Sequence, residues 1–117
     1  MSEELPYKIQ VSRIRKPYFD AIVCGDKKEE LKALSPYWIK RLLEPKIQPN
    51  VMKFICGKRV HSRKIIKKDK NGLAIYVDKP ENILGRPISE EGLRKDLQLD
   101  EHNGYCIVVK LGEEVET

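Results

Sequence analysis

The sequence is poor in several features that mark particular classes of protein. Its 117 residues include three cysteines, two histidines and one tryptophan, and a single threonine stands at the end of the chain. No stretch approaches the roughly 20 consecutive apolar residues that a membrane-spanning helix needs. The opening segment, MSEELPYK, also lacks the apolar core of a signal peptide. We therefore expect a cytoplasmic protein that does not enter a membrane.

The cysteines do not form a metal-binding or disulfide pattern. Cys24, Cys56 and Cys106 are far apart, and neither His61 nor His102 stands at a ligand spacing from any of them. Each cysteine lies in an apolar stretch, where a free thiol behaves as a small hydrophobic side chain. We therefore predict three buried, reduced cysteines, no metal and no cofactor.

Charge is abundant and unevenly distributed. Charged residues make up 35% of the chain, and the net charge is +5. Residues 1–77 carry 18 basic and 8 acidic side chains, whereas residues 78–117 carry 5 basic and 10 acidic ones. Such a basic region attracts polyanions, although a lysine-rich hairpin that is merely solvated has the same composition. Charge alone therefore leaves both interpretations open.

Length and pattern predict one small domain, residues 1–117. Apolar periodicity and turn residues indicate the order β-α-β-α-β-β-β-α-β, which is typical of an α+β fold or a small helix-decorated barrel. In the first strand, Ile9 and Val11 are predicted to face the core. Ser35 is expected to cap the second helix. The sequence further predicts a hairpin that turns at Asn71-Gly72, a helix capped by Ser89 and a central closing strand over GYCIVVKLGEE.

The most informative stretch is GDKKEELKAL, residues 25–34. If it is a strand, Leu31 lies on one face and Lys28, Glu30 and Lys32 lie on the other. Two lysines around one carboxylate are typical of a solvated surface ladder. They are equally typical of a set of hydrogen-bond donors that a carboxylate holds in position for a phosphate or a base edge.

This region resembles the start of an ASCH domain. The family signature runs from a short helix through G-x-K-[TK]-x-E-x-[RK], and Gly25, Lys27, Lys28, Glu30 and Lys32 stand at the matching positions. Similarity extends to SPYWIKRL, to MKFICGKR and to the closing strand. Lys28 replaces a commoner threonine, and Lys32 replaces a commoner arginine.

The resemblance implies a single PUA-like domain, a small β-barrel of five to six mixed strands with two or three short helices. It also implies a binding module for RNA or a modified nucleotide, with the signature lining a basic cleft. On this reading the signature residues Lys27, Lys28, Glu30 and Lys32 line the cleft. Five more residues are candidates for nucleic-acid binding around it because of their own chemistry and position: Lys16, Tyr37, Arg41, Lys58 and Arg59.

One branch of the family resembles an amidohydrolase that acts on a modified nucleoside through a lysine and a threonine three residues later. Lys27 matches the lysine, but Glu30 stands where the threonine would be, and a carboxylate cannot replace a hydroxyl nucleophile. An alternative hydrolase would use Glu30 as general base and Lys27 to stabilise an oxyanion. A third interpretation is an adaptor that meets partners of opposite charge.

Overall fold

A computed structural model defines residues 7–66, 74–84 and 90–116 of the protein. Its strands are β1 (Ile9–Arg13), β2 (Glu29–Lys32), β3 (Val51–Cys56), β4 (Arg59–Ile65), β5 (Ile75–Asp78) and β6 (Cys106–Val115). Its helices are α1 (Lys16–Val23), α2 (Pro36–Trp38), α3 (Pro80–Leu84) and α4 (Glu91–Asp96). A π-helical turn (Ile39–Leu43) continues α2, and a 3-10 turn (Leu99–His102) precedes β6.

The strands form one mixed sheet that curls into a half-barrel. The strand order is β1-β3-β4-β6-β2, with β5 also paired to β6. β1 runs parallel to β3, and the other pairs are antiparallel. Although β1 and β2 stand at opposite ends of this order, Ser12 of β1 lies in hydrogen-bond contact with Lys32 of β2. The sheet therefore curls until its two edge strands approach each other.

The long strand β6 separates two apolar clusters. Ile107, Val109 and Leu111 contribute to the main core with Phe19, Ile22, Leu42, Met52 and Phe54. The alternate residues Cys106 and Val108 pack with Leu97 and Leu99 in a second cluster beneath α4. Because both faces of the first part of β6 are covered, residues 106–109 form a continuous apolar run.

These findings confirm the predicted α+β small-barrel class. They also confirm the central position of the closing strand. The Ser35 hydroxyl accepts a hydrogen bond from the Trp38 amide at 3.4 Å, as expected of a helix cap. Among the residues that the structure defines, no helix is long and apolar enough to cross a membrane.

The prediction for the first strand was wrong. Ile9 and Val11 are 41% and 44% exposed, whereas Ser12 on the opposite face is buried. Alternation alone cannot tell which face points inward, and here the inward face is the one that meets β2. A polar side chain occupies it because its partner across the gap is a lysine.

The predicted hairpin was also wrong in its pairing. β4 pairs with β3 and β6, whereas β5 pairs with β6. The Asn71-Gly72 turn and the Ser89 cap lie outside the described residues. In α4 the residue before the first helical position is Glu90.

Only one cysteine matches its prediction fully. All three are free thiols, but Cys24 is exposed, Cys56 is partly buried and Cys106 is buried. Burial, together with the nearby charges of Asp78 and Glu81, raises the pKa of Cys106 to about 12. This thiol is therefore a hydrophobic core group rather than a reactive one.

Candidate functional site

A cavity of about 1180 Å³ lies where the two edge strands approach each other. Residues of β1 and β2 line it, together with Tyr18 and Ala21 of α1, Trp38 of α2 and Leu93 and Asp96 of α4. We call it the seam cavity. Its volume is as large as that of the ligand pockets of other proteins, which hold roughly 300 to 1,000 Å³.

Four side chains form a connected polar group beside this cavity, and we call them the inner cluster: Ser12, Lys27, Glu30 and Lys32. The Lys27 Nζ atom lies 2.8 Å from Glu30 Oε1, and Lys32 Nζ lies 3.4 Å from Glu30 Oε2. Lys32 also donates a hydrogen bond of 2.6 Å to the Ser12 hydroxyl. The cluster thus ties β2 to β1 across the seam.

Local strand geometry explains why these side chains meet. Glu30 and Lys32 lie opposite Val109 and Ile107 of β6, on the face that carries the main core. Leu31 lies on the other face and packs in the second cluster. Both faces of β2 are therefore covered, and the charged face is the more deeply buried.

Side chains of the inner cluster also form hydrogen bonds with the unpaired backbone edge of β2. Since Leu111 N donates to Lys28 O, the backbone groups of Glu29 and Leu31 point away from β6. Lys27 Nζ donates to Glu29 O at 2.6 Å, and Glu30 Oε1 accepts from Leu31 N at 3.1 Å. The side chains of Lys27 and Glu30 thus provide hydrogen-bond partners for backbone groups on an edge of β2 that pairs with no other strand in the described part of the chain.

Glu30 is ionised in the folded protein despite its burial. Burial is the largest single influence and disfavours the charged form, but the charges of Lys32 and Lys27 and the hydrogen bond from Lys27 outweigh it. Together they hold the pKa of Glu30 below its usual value. Oε2 faces Lys32 without hydrogen-bond geometry, so this buried oxygen has no hydrogen-bond partner within the described residues.

Aromatic side chains extend from the cluster towards the surface. Lys32 Nζ lies 4.8 Å from the centroid of the Trp38 ring, and the Tyr37 ring meets Trp38 edge-on at 4.9 Å. The Arg41 guanidinium then lies 3.6 Å from the Tyr37 centroid. Trp38 lines the cavity, whereas Tyr37 and Arg41 are exposed outside its lining.

The charge of the lining is mixed. It contains four basic side chains and five acidic ones: Arg13, Arg15, Lys27 and Lys32, and Asp26, Glu29, Glu30, Glu90 and Asp96. Arg15 and Asp96 form an ion pair that joins the start of α1 to the end of α4. Donors and acceptors therefore stand side by side, which suits a base edge better than a run of phosphates.

The structure brings three of the sequence candidates together: Lys27, Glu30 and Lys32. The remaining six lie outside the cavity lining: Lys16, Lys28, Tyr37, Arg41, Lys58 and Arg59.

Two of these six belong to a surface group on α1. Lys16 and Arg59 lie 2.6 Å and 2.8 Å from Asp20, and their hydrogen bonds lower the pKa of that carboxyl. Arg59 also covers the Phe19 ring at 4.6 Å. Lys28 and Lys58 are exposed.

Sequence reasoning missed several residues of the site. Ser12 lies on the face of β1 that was not predicted to point inward. Trp38 stands in an apolar helical stripe that predicts a core residue, and it both packs against the main core and lines the cavity. The position of Tyr18 off the apolar stripe of α1 is a sequence signal that it does not pack in the core, and it lines the cavity. Arg15 and Asp96 gave none, because the fold brings them together from opposite ends of the sequence.

The basic residues around His61 in the sequence predict a solvated loop, but the structure places His61 in β4. It is a buried residue of β4 that meets the Phe19 ring edge-on at 6.3 Å. Burial lowers its pKa, although Glu114 acts in the opposite direction. His61 lies outside the cavity lining and has a packing role.

Within the described residues, no group of three or more histidine, cysteine or acidic side chains is arranged to hold a metal. Comparisons of the chain with protein-family models, with curated proteins and with solved structures found no match.

Proposed function

We propose that the protein is an RNA-binding module that takes one nucleotide, base first, into the seam cavity. The observation that carries this proposal is the inner cluster, in which a buried carboxylate holds two ammonium groups beside a cavity of nucleotide size. Lys27 has three N–H donors and uses two on Glu29 and Glu30. The third has no acceptor among the described residues and can donate to a ligand group such as a base carbonyl.

The surroundings of the cluster support the same class of ligand. Trp38 and Tyr18 supply aromatic surface in the cavity lining, and unpaired bases bind to RNA-binding proteins by stacking as well as by hydrogen bonds. The mixed lining charge favours a base over a phosphate chain. The resemblance of the G-x-K-K-x-E-x-K stretch to ASCH domains supports this proposal further.

Equilibrium binding of nucleoside monophosphates and single-stranded RNA at two salt concentrations tests the proposal. We expect saturable binding that persists at the higher salt concentration, because contacts to a base release few counterions. Binding that vanishes as salt is raised would assign the effect to the outer basic surface. No binding of RNA or of any nucleotide at low salt would refute the proposal.

The hydrolase alternative has less support. A general base works best when its pKa lies near the working pH, whereas Glu30 has a lowered pKa and its Oε1 already accepts two hydrogen bonds. The Ser12 hydroxyl accepts a hydrogen bond from Lys32 and lies outside the cavity lining. We expect no turnover of acylated nucleosides, and turnover that disappears in Glu30→Gln would reverse this preference.

A further inference from the structure

The Tyr37–Arg41 pair stands next to the cavity but is not part of it. Tyr37 is 52% exposed, and the Arg41 guanidinium lies 3.6 Å from its ring centroid. The Arg41 Nη1 atom donates a hydrogen bond of 3.1 Å to the Tyr37 carbonyl oxygen, which fixes the guanidinium over the ring. No acidic side chain pairs with Arg41 in the described residues.

The pair is connected to the cavity through Trp38. The sequence of contacts runs from Lys32 to Trp38 at 4.8 Å, from Trp38 to Tyr37 at 4.9 Å and from Tyr37 to Arg41 at 3.6 Å. This row begins at the buried cluster and ends at the surface. A chain-like ligand that left the cavity past Trp38 would therefore meet these exposed groups.

We infer that Tyr37 and Arg41 form a second nucleotide subsite, so that the ligand is an RNA strand rather than a free nucleoside. This inference rests on the proposed function of the cavity. The outer face of a guanidinium held on an aromatic ring is a stacking surface for a base, and its N–H groups remain able to meet the neighbouring phosphate. A fixed guanidinium also loses little conformational entropy on binding.

The test compares a nucleoside monophosphate with a single-stranded homo-oligoribonucleotide of about six nucleotides, within the range of known single-strand sites. We expect the wild-type protein to bind the oligomer more tightly. Arg41→Ala and Tyr37→Ala should weaken oligomer binding roughly 5- to 100-fold, the range for losing one base stack, and leave monophosphate binding unchanged. Because both residues are exposed, we expect both variants to fold, and a thermal unfolding scan checks this.

Two further variants separate stacking from charge. Lys40→Ala removes the neighbouring exposed cation and should change oligomer binding much less than Arg41→Ala. Arg41→Lys keeps the charge but lacks the planar guanidinium, so its oligomer affinity should be close to that of Arg41→Ala. Wild-type oligomer affinity in Arg41→Lys would overturn the stacking subsite.

The outcomes also separate this inference from the proposed function. Equal affinity of the wild-type protein for monophosphate and oligomer, or oligomer binding that Arg41→Ala leaves unchanged, would overturn the second subsite alone. Absence of binding to both ligands would refute the cavity proposal, and the inference with it.

Discussion

The inner cluster and the surface ion pairs of α1 use the same side-chain chemistry in opposite surroundings. In both, one carboxylate lies between two cations: Glu30 between Lys27 and Lys32, and Asp20 between Lys16 and Arg59. Glu30 is only 5% exposed, whereas the Asp20 group is in contact with water. The comparison predicts that burial, rather than the number of charges, determines how strongly such a group affects stability.

The physical reason is the dielectric environment. An exposed ion pair gains little, because water screens its attraction and solvates each partner well without it. A buried pair gains more Coulomb energy but has lost its hydration, so removal of one partner leaves the other charge uncompensated. Single substitutions in the inner cluster should therefore have large effects on stability and on the affinity for any ligand bound beside it.

The largest predicted effect is that of Glu30→Ala on stability. We expect a loss of about 3 to 5 kcal/mol in the free energy of unfolding, because the buried Lys32 and the partly buried Lys27 lose their counter-charge and Leu31 N loses its acceptor. Urea denaturation measures it. Asp20→Ala is the matched control and should produce a much smaller change; equal losses would break the comparison.

The second prediction concerns acid. Because the pKa of Glu30 is lowered by folding from a usual value of 4.5, its stabilising contribution is complete above that value and is lost as the pH falls below it. The stability difference between the wild-type protein and Glu30→Gln should therefore shrink as the pH falls from 7 towards 3. Denaturation midpoints across this range test the prediction, and a constant difference would contradict it.

The third prediction separates the cavity from the outer basic surface in binding. Lys27→Gln removes the ammonium donor that we propose meets the ligand, and it should lower RNA affinity roughly 10- to 100-fold, the range for losing a hydrogen bond to a charged group. Lys58→Gln removes an exposed cation and should have a small effect that disappears at higher salt. Affinity titrations of both folded variants provide the measurement. Equal losses would mean that only the overall charge attracts RNA.

The smallest predicted effect comes from His61. Burial lowers its pKa from a usual value of 6.5, so the unfolded chain binds the proton more readily and stability falls as the pH drops below 6.5. This contribution has a slope of at most about 1.4 kcal/mol per pH unit. His61→Phe should remove it, whereas His102→Gln should not. An unchanged slope in His61→Phe would contradict the assignment.

Much of the fold could be predicted from local pattern. The caps of α2 and the apolar run of β6 are local signals, and both led to correct elements. The inward face of β1 could not be predicted, because Ser12 is buried only through its contact with Lys32, which the closure of the sheet creates. The pairing of β5 with β6 could not be predicted for the same reason, since a turn signal does not specify pairing with a strand that is distant in sequence.

The residues of the site also fall into those that local sequence predicts and those that only the fold brings together. Lys27, Glu30 and Lys32 could be selected because they lie in one short motif. Arg15 and Asp96 could not, since only the fold brings them together, and Trp38 was assigned to the core because one face of a helix can both pack and line a cavity. Local spacing identifies a cluster, but only tertiary structure shows what surrounds it.

Trp38 offers the most direct test of the central claim, that the seam cavity beside the inner cluster is where RNA binds. It is the only tryptophan in the chain, and it lines the cavity next to Lys32. Titration with single-stranded RNA should change its intrinsic fluorescence saturably, with the same dissociation constant that labelled RNA gives by anisotropy. Binding detected by anisotropy with no change in Trp38 fluorescence would contradict the account and place the RNA elsewhere on the protein.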